Sequence, residues 1–360
     1  MPRILFVSRP DCFSFPAGDT VQMKHTAKYL EPLGWKVDFW NGNIAMLKNY
    51  EIIHVFNSRP IHFFVYLTEL LARLRKKLVI SPIIIDLDEY NRRGRYGLDC
   101  FLFRLPFWNH WGEWAKSAYL SARGGYSLPG FGRGDYRSGV RTLLDGADAI
   151  VCLSELEREW IAKNVRDYAN AAIIPNGVEP FFYSENKIAR DCFLCVGKIE
   201  PLKNQLRLLE AYRLLETDIP LYFIGSSSPK HPAFVREFFR QLNRTSGAIY
   251  IPSMPHAELA SFYHRAKVHI QPSWFENAPL VHMEALSAGA ASVLTDRGFG
   301  KSLFPEYTVL CSPRSPVSIA EAIVSAETKE IPHGFSKKMV DEYSWGATAR
   351  KLASVYESLS

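Results

Sequence analysis

No stretch of this chain approaches the roughly 18–20 uninterrupted apolar residues that a membrane span requires, and the best candidates break at Arg, Lys or Pro within about a dozen positions. The N-terminus runs from Met1-Pro2-Arg3 straight into Ile4-Leu5-Phe6-Val7, with no basic leader and no small-residue cleavage site, so export is not expected. Cysteine is scarce, with six in 360 residues. The lone CxxC, Cys192 with Cys195, sits inside the apolar run Cys192-Phe193-Leu194-Cys195-Val196, and no second pair exists to complete a zinc site. Three positions apart on a strand, the two thiols point to opposite faces, which suits buried reduced cysteines in a cytosolic protein. The stretch from Ser8 to Thr20 holds no GxGxxG, which weakens a dinucleotide-binding role. Repeats with a period of roughly 20–50 residues are also missing, so a solenoid or propeller is not expected.

The composition that remains is 47% hydrophobic, 22% charged and 13% aromatic, which excludes disorder, collagen and a disulfide scaffold. At roughly 100–200 residues per domain, a chain of this length predicts two domains, each able to bury its own core. The 43 basic and 37 acidic residues leave a net charge of +6. The window from Arg92 to Arg141 carries nine basic residues and only three acids, a local excess equal to that of the whole chain. An acidic partner is expected to meet this stretch.

Short β-rich runs alternate with helical patterns along nearly the whole length, which reads as α/β with parallel sheets. In the first half the strand candidates are 3–8, 36–41, 51–56, 78–85, 148–153 and 171–175. A second set occupies 192–197, 220–225, 248–252, 267–271, 291–295 and 308–311. Two successive doubly wound units are the simplest account. Between the first two strands, Asp19-Thr20-Val21-Gln22 has the spacing of a capping box, and Gly34 ends the segment just after Pro32. The boundary falls in Asn176-Gly177-Val178-Glu179-Pro180 and the polar stretch to Arg190. A final helix capped by Ser344 places Trp345, Ala349, Leu352, Val355 and Tyr356 at a helical period. The glycine-rich segment 121–139 reads as a loop.

Two constellations carry the candidate chemistry. In the first, the strand Val268-His269-Ile270-Gln271 leads into Trp274-Phe275-Glu276-Asn277-Ala278-Pro279-Leu280 and then a helix holding Glu284 and stopping at Gly289. The amides of Asn277, Ala278, Leu280 and Val281 have no partners within such a helix, so the segment offers a phosphate site at the C-terminal edge of a parallel sheet. Glu276 and Glu284 beside that site suit the vicinal hydroxyls of a ribose and a second sugar, because a carboxylate accepts two hydrogen bonds from a diol. In the second constellation, Gly197-Lys198-Ile199-Glu200-Pro201-Leu202-Lys203 again leaves a strand for a helix. Its two lysines suit the negative charge that grows on a departing diphosphate.

Taken in order, Ile173-Ile174-Pro175-Asn176-Gly177-Val178, Gly197-Lys198 with Lys203, and Glu276-x7-Glu284 resemble the retaining nucleotide-sugar glycosyltransferases of glycosyltransferase family 4. The resemblance spans about 145 to 311, runs more loosely through the Tyr343-Ser344-Trp345 helix, and is one of outline in the N-terminal half. It implies the GT-B fold: two doubly wound Rossmann-like domains facing across a cleft, with the C-terminal helix returning to the first. The expected division is 1–183 with 343–360 for the acceptor, and 184–342 for the nucleotide-sugar donor. The resemblance implies that Glu284 holds the ribose, that Glu276 holds the donor sugar, and that Lys198 and Lys203 hold the diphosphate. On this reading Glu276, Lys203 and Lys198 are catalytic, and Glu284, Asn277, Ala278, Pro279, Leu280 and Gly197 bind the donor. Gly18, Asp19, Asp86 and Asp88 are assigned to the acceptor side. This chain departs from the family in having Lys198 where arginine is usual, Ala17-Gly18 for a glycine pair, and no histidine after the fourth strand.

The implied activity is transfer of a sugar from a nucleoside diphosphate sugar to a hydroxyl of a saccharide or lipid-linked saccharide, with retention, in bacterial cell-surface polysaccharide or glycolipid assembly. No metal or other cofactor is expected, although Asp86-Leu87-Asp88 has the form of a metal-binding DxD. Alternatives are a GT-B sugar-nucleotide epimerase, which turns over without an acceptor, and a non-catalytic sugar-nucleotide-binding protein at a membrane. Phe101, Phe103, Phe107, Trp108, Trp111 and Trp114 fall in the basic window 92–141, so this stretch reads either as a buried helix or as an anionic membrane surface contact. A cytoplasmic location is expected, and the second reading places the protein peripherally on the inner face of the membrane. Nucleic acid is not expected, because no binding motif accompanies the charge.

Overall fold

The computed structural model describes residues 2–97, 100, 136–184 and 188–359. The aromatic set Phe101–Trp114 and most of the windows 92–141 and 121–139 lie outside the described residues. The described chain gathers into two compact units. The first comprises 2–84, 136–177 and 345–359; the second comprises 85–97, 100, 178–184 and 188–344.

In the first unit, six parallel strands form one sheet. They are β1 (Arg3–Val7), β2 (Lys36–Phe39), β3 (Ile52–Phe56), β4 (Lys77–Ser81), β5 (Ala149–Cys152) and β6 (Ala171–Ile173), in the order β2-β1-β3-β4-β5-β6. The central strands are apolar on both faces, as a sheet covered on both sides demands. Strand β4 stops at Ser81, short of the expected residue 85, because Pro82 has no N–H to donate and Ile83 takes a φ of +45°. The helix Gly18–Leu30 also begins differently from the expected capping box. Ala17 is the N-cap and Thr20 Oγ1 accepts the Ala17 amide, while Asp19 lies inside the first turn. Gly34 terminates the segment as expected, with φ +88° and its amide on Glu31 O.

The core of this unit is completed by the end of the chain. Ala349, Leu352, Ala353 and Tyr356 of the helix Trp345–Glu357 pack with Ile4, Phe6, Met23, Trp35 and Phe56. Buried His54 on β3 holds the Tyr356 hydroxyl at 2.6 Å and Ser81 Oγ at 2.9 Å. Gly177 permits the close approach of this helix, since a Cβ there would stand 2.4 Å from the Trp345 Cα.

The second unit repeats the plan with β7 (Cys192–Val196), β8 (Leu221–Ile224), β9 (Ala248–Ile251), β10 (Ala266–Gln271), β11 (Ala291–Thr295) and β12 (Thr308–Cys311). Their order is β12-β11-β10-β7-β8-β9, all parallel. One face is filled by Phe193, Cys195, Leu209, Phe223, Phe238, Val268, Ile270 and Ile323, the other by Leu194, Val196, Tyr263, Ala285 and Phe182. Burial of Phe182 explains why residues 178–184 join this unit, whereas the expected division kept everything through 183 with the first. All six cysteines are free, and burial pushes the Cys195 thiol up to about 12.

Candidate functional site

At the centre of the second sheet, β7 and β10 are neighbours although β8 and β9 intervene in sequence, so the connections leaving them diverge. Such a switch point opens a crevice at the C-terminal ends of the strands. The loop after β7 carries Gly197, Lys198 and Lys203; the loop after β10 carries Glu276, Asn277, Ala278 and Pro279. Gly197 begins its loop with a φ of +150°, and a Cβ on neighbouring Gly225 would lie 2.2 Å from the Gly197 carbonyl oxygen. Two loop origins therefore touch through bare backbone.

Asn204 ties the loops into one platform. Held at φ +63°, it donates its side-chain amide to the carbonyls of Pro272 and Pro313, each at 2.9 Å. The Trp274 amide meets Leu202 O at 2.9 Å. This framework brings Lys203 Nζ to 2.6 Å from Glu276 Oε1, and Gln271 Nε2 reaches the same oxygen at 3.0 Å. Burial opposes charge on Lys203, but Glu276 in direct contact outweighs it and holds the ammonium above its ordinary value. The Glu276 backbone is fixed too: its amide donates to Arg297 O, and its carbonyl accepts from Phe299 and Gly300. Lys198 lies half-buried in the loop that Lys203 closes.

The helix Leu280–Ser287 starts after Pro279, which serves as N-cap rather than as the first helical residue. The Leu280 and Val281 amides make no hydrogen bond with a described residue. His282 anchors this helix, with Nε2 at 3.1 Å from Leu303 O and Nδ1 at 2.8 Å from Ser292 Oγ. A carbonyl only accepts, so Nε2 carries the proton; burial pushes this imidazole down to about 4. Glu284, six per cent exposed, receives His256 Nε2 on Oε1 at 2.7 Å and the Tyr263 hydroxyl on Oε2 at 2.8 Å. Burial disfavours charge on His256, but Glu284 and, more weakly, Glu179 raise it above its ordinary value. Sequence reasoning missed Gln271, His256 and Tyr263. The one signal available was that His256 and Tyr263 stand seven residues apart, two turns of a single helix.

The acceptor-side residues do not come together within one unit. Gly18 starts the first helix of the first unit, and Asp19 follows it. Asp19 Oδ2 accepts from Arg9 Nε at 2.8 Å, Asn57 Nδ2 at 3.1 Å and Ser8 Oγ at 3.2 Å, and Oδ1 accepts the Thr20 amide at 2.8 Å. Asp86 and Asp88 belong to the segment that clusters with the second unit, where Asp86 Oδ1 accepts the Asp88 amide. No group of three or more His, Cys, Asp or Glu suited to a metal is gathered among the described residues.

A family model described as glycosyl transferases group 1 matches residues 182–356, the stretch that supplies every candidate donor-site residue above. Residues 182–356 are a glycosyl transferases group 1 domain. The chain is 25% identical over 259 residues, covering 61% of it and 59% of the relative, to a D-inositol 3-phosphate glycosyltransferase of Kineococcus radiotolerans. The chain spans 42% to 59% of the length of the first curated relatives it matches. Sucrose-phosphate synthase of Thermosynechococcus elongatus superposes with a TM-score of 0.74 at 15% identity, over 100% of this chain and 99% of that one. Anabaena HepE, solved in complex with UDP-glucose, gives a TM-score of 0.69 at 13% identity, over 99% of each chain. The fold is GT-B. Among the described residues no helix is long and apolar enough to cross a membrane.

Proposed function

We propose that this protein transfers a glycosyl group from a nucleoside diphosphate sugar to an acceptor hydroxyl, with retention at the anomeric carbon. The observation that carries the reading is the ion pair of Lys203 with Glu276 at the switch point of the second sheet, next to the Leu280 and Val281 amides, which have no partner among the described residues. The glycosyl transferases group 1 match and the UDP-glucose bound to the similar HepE support a nucleotide-sugar donor.

On this reading the diphosphate lies against the start of the 280–287 helix with Lys198 and Lys203 beside it. When the bond from the anomeric carbon to the phosphate oxygen breaks, the oxygen gains charge that these fixed cations stabilise without reorganising. The acceptor oxygen bonds to the anomeric carbon on the same face, and its proton passes to the leaving phosphate oxygen. Glu276 accepts hydroxyls of the donor sugar, and Glu284 those of the ribose. The first unit takes the acceptor. The charge is supplied by the protein, so activity persists in EDTA. The excess of basic residues in 92–141 supports an acceptor at an anionic membrane surface, in cell-surface glycan assembly.

Incubation with UDP-, GDP- and ADP-sugars and lipid-linked or free saccharides tests the assignment. Release of nucleoside diphosphate only in the presence of acceptor, with a retained anomeric configuration by NMR, is the expected result. Turnover without acceptor points to an epimerase, and strict Mn2+ or Mg2+ dependence returns attention to Asp86-Leu87-Asp88. Sedimentation with anionic liposomes, weakened by salt, checks the membrane reading.

A further inference from the structure

The Glu284 carboxylate is held by two donors whose direction is fixed. A carboxylate only accepts at neutral pH, so His256 must carry its proton on Nε2 and Tyr263 must donate its hydroxyl hydrogen. Both donors pack against aromatic rings. Tyr263 is fully buried, with its ring packed against Phe182 and His269. His256 is wedged beside Phe182, ring centroids 4.9 Å apart. Burial beside Glu284 holds the Tyr263 hydroxyl well above its ordinary range, so it remains a donor throughout the working pH.

Each carboxylate oxygen offers about two acceptor sites. One donor on each oxygen leaves one site on each, which is the requirement for a vicinal diol. It also stops the carboxylate from rotating about its terminal torsion, a soft and roughly two-fold rotation when unrestrained. We propose that Tyr263 and His256 are positioning residues that, through Glu284, set a preference for a ribose over a 2′-deoxyribose in the nucleotide. This rests on the reading that Glu284 meets the ribose. A sugar lacking the 2′-hydroxyl leaves one oriented lone pair of a buried carboxylate without a donor. Loss of a hydrogen bond to a charged group weakens binding about ten- to a hundredfold.

The test is calorimetric titration of UDP, GDP and ADP, each against its 2′-deoxy counterpart, with wild type, Glu284→Ala, Tyr263→Phe and His256→Gln, and melting curves run beside them. For whichever nucleotide binds, wild type should prefer the ribose form by about tenfold or more. Glu284→Ala should bring the ratio near one, and Tyr263→Phe and His256→Gln should each reduce it at least threefold. A purely structural contribution weakens both nucleotides equally and leaves the ratio unmoved. If Glu284→Ala keeps the full ratio, the ribose reading itself falls. If Glu284→Ala abolishes it while Tyr263→Phe and His256→Gln preserve it, Glu284 meets the ribose but the two donors do not position it. Tyr263→Phe removes a single oxygen and His256 reaches the surface, so at least one of the two variants should remain folded for the comparison.

Discussion

Asp19 and Glu284 are both buried carboxylates on helices that follow strands of a parallel sheet, one in each unit, yet their surroundings differ in kind. Asp19 is saturated by Ser8, Arg9, Asn57 and the Thr20 amide, all from its own unit. Glu284 is held by two donors among the described residues and lies in the helix that begins beside the β10 loop. A carboxylate accepts about four hydrogen bonds, so the first has nothing left to offer a ligand and the second has half its capacity. The number of donors already spent separates a carboxylate satisfied within the fold from one with capacity left.

The contrast is sharpest in a stability measurement. Asp19→Ala removes one of the two carboxylates on Arg9, leaving the Asp11 pair, and strips the partner from buried Asn57 and Ser8, a loss of about 1–3 kcal/mol. Its melting temperature should fall while the KM for acceptor stays at the wild-type level; a selective rise in that KM with unchanged melting would favour the acceptor-side role of Asp19 instead. Lys203→Ala should act chiefly on rate, cutting turnover about 100- to 1000-fold beyond any fall in melting temperature from the broken pair with Glu276, as expected for a group aimed at charge that develops in the transition state. Steady-state kinetics checks this, and wild-type turnover removes Lys203 from the site. Glu276→Ala should lower turnover about ten- to a hundredfold while nucleoside diphosphate affinity shifts less, because the proposed function sets Glu276 against the donor sugar rather than the nucleotide. Equal losses in both would merge its role with that of Glu284.

The smallest effect is a pH dependence. The folded-state value of His256 is raised above 6.5, so its ion pair with Glu284 stabilises the protein fully below pH 6.5 and fades as pH rises through the raised value. Melting of wild type against His256→Gln should therefore differ most in mild acid and converge in base. A gap that widens with pH contradicts the assignment.

All twelve strands were legible in the sequence because a sheet covered on both faces leaves continuous runs of β-branched and aromatic residues. Errors arose where one residue overrides a run: Pro82 ends β4 early although Ile83-Ile84-Ile85 continues the apolar pattern. The helix start was misread because Asp19, a fitting cap by type, is drawn away by Arg9 and by Asn57, 38 positions distant. Lys203 and Glu276 were visible as loop residues at strand ends, but their contact across 73 positions depends on β7 and β10 being neighbours. The donors on Glu284 were hidden for the same reason. Local pattern reveals which groups leave a strand, and topology alone decides which of them meet.

The first unit is begun at residue 3 and finished by Tyr356. A ribosome releases the N-terminal strands long before the closing helix exists, and domains generally fold in the order they emerge. Here the early half waits, with Ile4, Phe6 and Phe56 lacking their cover and His54 lacking the phenol that satisfies it. The second unit draws its core from residues 178–340 and needs nothing from that helix. A chain truncated before Tyr356 should therefore lose its packing at Ile4, Phe6 and Phe56, at the opposite end of the sequence.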